Sequence, residues 1–139
     1  MDPKHAQERP DIALAGIVYG DIIYWTTIIA SVIAAFGLVM TFVSQAHHID
    51  PSFLLSEIWA GKHVGQIWID AVGEPPEGHW YLHHITTSNG ITMTGIALGV
   101  FSVIPALLAS AAVLFYERDF LYGVLAVIAS LITVGAMLV

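Results

Sequence analysis

Three stretches of the chain carry no charge at all. From Ile22 to Val43 there are 22 such residues, close to the ~20 that an α-helix needs to cross about 30 Å of hydrocarbon. A second stretch runs from Gly90 to Tyr116 and a third from Phe120 to Val139, with only Glu117, Arg118 and Asp119 between them. This pattern predicts three transmembrane helices. The three-residue break predicts a tight hairpin, so the second and third spans are expected to be antiparallel neighbours. Ser44-Gln45-Ala46 has the small residues of a signal-peptide cleavage site. The apolar run before it exceeds the roughly 7 to 15 residues of a signal-peptide core, so the first span is expected to stay as an anchor.

Between the first two spans the periodicity changes. Asp50-Pro51 is a helix start, a capping carboxylate followed by proline at the first helical position, and it places Leu54, Leu55, Ile58 and Trp59 on one face. From His63 to Val72 a second short helix is predicted, with Val64, Ile67, Trp68, Ala71 and Val72 opposite His63, Gln66 and Asp70. Both helices are expected to lie flat on the membrane or on a partner. Gly73-Glu74-Pro75-Pro76-Glu77-Gly78 then forces a turn, and His79-Trp80-Tyr81 returns the chain to the depth that Trp and Tyr prefer. The expected fold class is an all-α membrane protein, with three transmembrane helices and a structured outer loop carrying one or two short interfacial helices. One domain holds it all: an N-terminal segment 1–21, spans 22–43, 90–116 and 120–139, the loop 44–89 and the turn 117–119.

Composition sharpens this picture. Charged residues make up 11% of the chain and hydrophobic ones 57%, against about a quarter charged in a soluble domain, so lipid is the expected solvent. The net charge of −7 and the lack of any basic patch exclude nucleic acid as a partner. Cysteine is absent, which excludes disulfides and thiolate-held metals or iron-sulfur clusters in this chain. Lys4, Arg9 and Arg118 fall on one side of the predicted topology and Lys62 alone on the other. The positive-inside rule then places the N-terminus and hairpin in the cytoplasm and loop 44–89 in the periplasm, with a bacterial inner membrane as the expected location.

Six of the seven histidines and three of the four tryptophans lie in the loop. His47 and His48 close the first span and His83 and His84 precede the second, so the topology puts the two pairs near one membrane face, where they could meet. His79 and His83 are four apart and would share a face if that segment were helical. These five are the candidate cofactor residues, for haem or a quinone site. In the plainer account, interfacial histidines bond headgroups, carbonyls or a partner subunit. That account is preferred because no histidine lies within a span; no metal site is expected, because no carboxylate completes a ligand set. Asp21, near Tyr19, Tyr24 and Trp25, reads as a carboxylate at the start of a helix, where water and the helix dipole favour it, ahead of a proton site. Gly95 and Gly99 form a small-residue face in the second span, matched by Ala30, Ala34 and Gly37 in the first. With Trp59, Trp68 and Trp80 they are the candidate interaction residues. Pro105 should kink the second span. No nucleophile with its base, no phosphate loop and no paired carboxylates within a span point to an enzyme.

The last third, with Ile104-Pro105 and then Phe115-Tyr116-Glu117-Arg118-Asp119-Phe120-Leu121-Tyr122 before a final apolar helix, resembles a prokaryotic family of small three-span membrane proteins of unknown function. That family closes on a hairpin whose turn reads Glu-Arg-Asp-x-Leu-Tyr. It has an arginine shortly after the proline, where this chain has Leu108, and a shorter outer loop. The resemblance implies topology and no chemistry. Together these features lead to the expectation of a non-catalytic accessory or anchoring subunit of a larger membrane complex, respiratory or photosynthetic, with other membrane subunits and the lipid bilayer as partners. Charge-poor spans, small-residue faces, a C-terminus without a polar tail and an aromatic loop all suit lateral packing. A haem- or quinone-binding redox anchor and a transporter accessory protein are the alternatives.

Overall fold

The computed structural model describes residues 12–75 and 77–138. Lys4 and Arg9, Pro76 of the loop turn and the terminal Val139 lie outside the described residues. Among those described there is no strand, and three helices are long and apolar enough to cross a membrane. They are α1 (Leu14–Val43), the second span Ser88–Tyr116 and a third helix, Phe120–Leu138, with mean hydropathies of 2.2, 2.3 and 2.2. The all-α, three-span expectation therefore holds, and the chain is a membrane protein. Two short helices occupy the loop, α2 (Pro51–Trp59) and α3 (Val64–Val72). The second span divides into α4 (Ser88–Phe101) and α5 (Val103–Tyr116), and α6 (Phe120–Leu138) closes the chain.

The first helix starts eight residues before the stretch that absence of charge marked out. Residues 12–20 are apolar or small, and one carboxylate does not end an i→i−4 ladder. Asp21 consequently lies about two turns inside α1, on an exposed position, and does not sit at a helix N-terminus. Pro105 acts earlier along the chain than its own position. With no N–H it leaves the carbonyl of Phe101, four residues back, without its helical donor. The helix is interrupted at Ser102, which keeps helical angles of φ −56° and ψ −24°.

The chain forms two compact units, one of α1 up to Trp25 with everything from Ser102 onward, the other from Thr26 to Phe101. In the first, α5 and α6 are joined by residues 117–119 in a Schellman turn. The Asp119 N–H donates to the Leu114 carbonyl at 2.9 Å and the Arg118 N–H to that of Phe115 at 3.2 Å. Arg118 takes the left-handed conformation, φ 66°, that glycine usually supplies. Gly123 lets α6 approach α5 closely, because a Cβ there would sit 2.8 Å from the Phe115 ring. Ser110, 9% exposed, donates from Oγ to the Ala15 carbonyl at 3.1 Å, a polar tie between apolar helices. Relief of the left-handed strain predicts that Arg118→Gly stabilises the hairpin by about 1 kcal/mol. Thermal unfolding in micelles should show a raised midpoint.

In the second unit, α4 packs on the later part of α1 backbone to backbone. A Cβ on Gly95 would lie 2.5 Å from the Ala34 nitrogen, and one on Gly37 2.5 Å from that of Thr92. This close approach is what the small-residue strips Ala30, Ala34, Gly37 and Gly95 make possible. The loop helices cap that end of the pair. Asp50 caps α2 by accepting from the Ser52 and Phe53 N–H groups at 2.8 and 3.2 Å and from the Ser52 hydroxyl. Lys62 clasps α2 to α3 through ion pairs with Glu57 and with Asp70, the latter at 3.1 Å. Gln66 donates to Asp70 at 2.9 Å. The lysine pKa is raised by Glu57 and then Asp70, while that of Asp70 is lowered by Gln66 and then Lys62.

Candidate functional site

Hydrogen bonds staple the end of α1 to the start of α4. Ser88 N–H donates to the Ala46 carbonyl at 3.1 Å, His48 N–H to Asn89 Oδ1 at 3.1 Å, and His47 Nδ1 shares a 2.9 Å bond with the Ser88 hydroxyl. Just upstream, Thr87 accepts from Gly90 N–H at 3.1 Å and donates from Oγ1 to the His84 carbonyl at 2.7 Å. The staple brings the two histidine pairs to one place. His48 and His84 lie ring against ring, centroids 3.8 Å apart, and His48 stacks on Trp80 at 5.0 Å with an 18° tilt. Trp68 stands nearly upright against Trp80, at 5.1 Å and 67°. Each such contact adds about 0.5–1.5 kcal/mol beyond burial.

These rings wall a cavity of about 200 Å³ lined by His48, Trp68, Val72, Glu74, Glu77, Trp80, His83 and His84. On another side Trp68 and Trp80 border a more apolar groove of about 350 Å³ with Leu38, Leu54, Asn89 and Met93. Of the five candidate histidines, His48, His83 and His84 share the first cavity, whereas His47 is turned to Ser88 and His79 packs near Tyr81 at 6.1 Å. The segment 80–82 is one 3₁₀ turn flanked by His79 and His83, so those two are not stacked on an α-helical face. Two imidazoles in ring contact cannot bind opposite faces of one haem, so His48 and His84 do not fit as its axial pair. Among the described residues no group of three or more His, Asp or Glu side chains is arranged to hold a metal ion.

The candidate interaction residues divide by exposure. Trp59 is 87% exposed at the end of α2, while Trp68 and Trp80 turn inward to the cavity. Gly95 is buried against α1, and a Cβ on Gly99 would meet that of Ala30 at 3.4 Å. The carboxylates Glu74 and Glu77 were missed as site residues because they sit in a proline- and glycine-rich turn with no periodicity. The only signal in the sequence was their position, just before the aromatic run 79–81.

A protein-family model matches residues 15–139 of this chain. The chain belongs to that family. It is an uncharacterized prokaryotic family, and the three apolar helices of this chain fit a small three-span protein. A protein of Archaeoglobus fulgidus, described only as uncharacterized, is 32% identical over 123 residues, covering 87% of this chain and 80% of the relative. No solved structure matches.

In this family member the His48 pKa is lowered from the usual 6.5, first by burial, then by the facing His84, with Glu74 opposing. The sign follows from linkage: a histidine held neutral when folded takes its proton more readily in the opened loop. Loop stability is therefore full above about pH 6.5 and falls as pH drops through that value toward the folded pKa. Tryptophan emission should shift to the red across this window, and His48→Phe should abolish the shift.

Proposed function

We propose that this protein is a non-catalytic accessory or anchoring subunit of a larger membrane complex, with energy-converting assemblies as the first class to test. The observation that supports this reading is the apolar face of α2. Leu55, Ile58 and Trp59 are 61%, 54% and 87% exposed, and α2 buries no residue. A contiguous patch of this kind outside a span marks a docking surface. The spans support the same reading. Only 11%, 17% and 11% of the residues in their most apolar windows are buried within the chain, leaving wide faces for lipid and neighbouring helices.

The proposed orientation keeps the N-terminus and the 117–119 turn in the cytoplasm. The positive-inside rule supports it, since the sequence topology assigns Lys4, Arg9 and Arg118 to that side, while Lys62, the loop's only Lys or Arg, is engaged by Glu57 and Asp70. Because the chain has no cysteine, single cysteines placed at 118 and at 59 give a direct test. An impermeant maleimide on intact cells should label position 59 alone.

The subunit reading is tested by mild detergent extraction from native membranes, capture of this chain, and mass spectrometry of what remains bound in fixed ratio. A Trp59→Cys variant carrying a photoreactive maleimide should crosslink to the same partner, and Trp59→Glu should lose that partner with the helix content intact. Recovery of the chain alone, or only as a homo-oligomer, overturns the proposal.

A further inference from the structure

The loop cavity has a wall chemistry that the subunit reading does not use. Its sides are Trp68 and Trp80, two indoles at a steep angle, with the His48 and His84 imidazoles stacked beside them. Its rim carries the carboxylates of Glu74 and Glu77, both on exposed positions, and no lysine or arginine among the described residues lines it. The cation nearest along the chain, Lys62, is tied to Glu57 and Asp70. Burial and the facing His84 ring lower the His48 pKa, so the wall beside the indoles is aromatic while the rim carries two carboxylate side chains.

Aromatic faces present negative charge density and hold cations that shed water easily, and ammonium groups carrying methyl or alkyl substituents are the best fit. A metal ion is a poor fit, since it needs converging lone pairs, and among the described residues no group of three or more His, Asp or Glu side chains is arranged to supply them. A bare alkali ion is too strongly hydrated to gain from indole faces. A volume of about 200 Å³ suits one small organic cation and excludes a large ligand.

We propose that the cavity formed by His48, Trp68, Trp80 and His84 under Glu74 and Glu77 binds a substituted ammonium group. That group is carried either by a free solute or by a lipid headgroup. Both sources present the same chemistry, and the site lies where α1 and α4 leave their apolar segments, within reach of either.

The test uses the full chain in maltoside micelles, read by tryptophan emission. Tetramethylammonium and choline chloride are titrated against sodium chloride at matched ionic strength, and a lysophosphocholine forms a second arm. Saturable quenching by the ammonium salts, absent with sodium, is expected. Saturation by choline identifies a solute site, and saturation by the lysolipid alone identifies a headgroup site; either supports the proposal. The double variant Glu74→Gln, Glu77→Gln, which changes two exposed side chains and keeps their size, should weaken binding about tenfold. Trp80→Leu should remove it, while Trp59→Leu should leave it unchanged. Binding should also fade as pH drops and His48 takes up a proton in the cavity wall. No saturable signal in either arm, or equal quenching by sodium, overturns the proposal, as does full affinity in the double glutamine variant.

Discussion

Gly90→Ala should loosen the whole loop from the spans. A Cβ at this position would fall onto the carbonyl of His84, a backbone atom with no flexible tip to yield. That carbonyl already accepts from the Thr87 N–H at 2.9 Å and from the Thr87 hydroxyl at 2.7 Å, and Thr87 in turn accepts from Gly90. Room for the methyl can come only from breaking this knot, which sets the first turn of α4 and the position of the His84 ring. The expected cost is about 3 kcal/mol, at the upper end of what overpacking usually exacts because backbone must move. Amide exchange should accelerate over residues 79–90, and tryptophan emission should shift to the red as Trp80 loses its stack on His48. Gly65→Ala is the control. Its added methyl meets nothing within 4 Å in α3, and alanine is the better helix former by about 1 kcal/mol. If Gly90→Ala matched that control, the close approach of α4 to the loop would be wrong.

Gly95→Ala should separate α1 from α4. Here the methyl would stand 2.5 Å from the Ala34 nitrogen and 2.8 Å from the Ala30 carbonyl oxygen. Helix association in lipid lacks a hydrophobic drive and depends on dispersion between closely approaching backbones, so a small separation forfeits contact along the whole crossing. A loss of about 1–3 kcal/mol is expected, visible as a lowered midpoint in detergent-induced unfolding. Gly99→Ala, at 3.4 Å from the Ala30 methyl, makes ordinary contact and should be near neutral, and Gly135→Ala faces open space. The contrast between Gly95 and Gly99 separates a backbone-contact face from a generic small-residue motif.

The interruption of the second span and the start of the first show two ways in which a local rule can be right in kind and wrong in place. Charge marked out Ile22 as the start of a span, yet helical hydrogen bonding continues back to Leu14 because Asp21 breaks neither the backbone ladder nor its geometry. Pro105 was legible as a disruption. Its effect appears at Ser102 because the missing donor is felt by the carbonyl four residues earlier.

What the amino-acid order by itself determined is the membrane architecture. Three uncharged runs long enough to span lipid, the caps of α2 and the Glu-Arg-Asp turn are all properties of neighbouring residues, and the bilayer leaves so few alternatives that hydropathy and local capping suffice. Composition also showed that histidine and tryptophan gather in the loop. Only the tertiary structure decided which of them meet. His48 reaches His84 because the Ser88 N–H donates to the Ala46 carbonyl and the His48 N–H to Asn89 Oδ1, joining segments about forty positions apart, and Trp68 meets Trp80 beside them. No periodicity encodes such a pairing. The same holds for Glu74 and Glu77, which line one cavity with Trp68 and Val72 of α3. Local order is written in hydrogen bonds between near neighbours; the site is made by contacts whose partners are distant in sequence, and those exist only once the loop has closed on the helices.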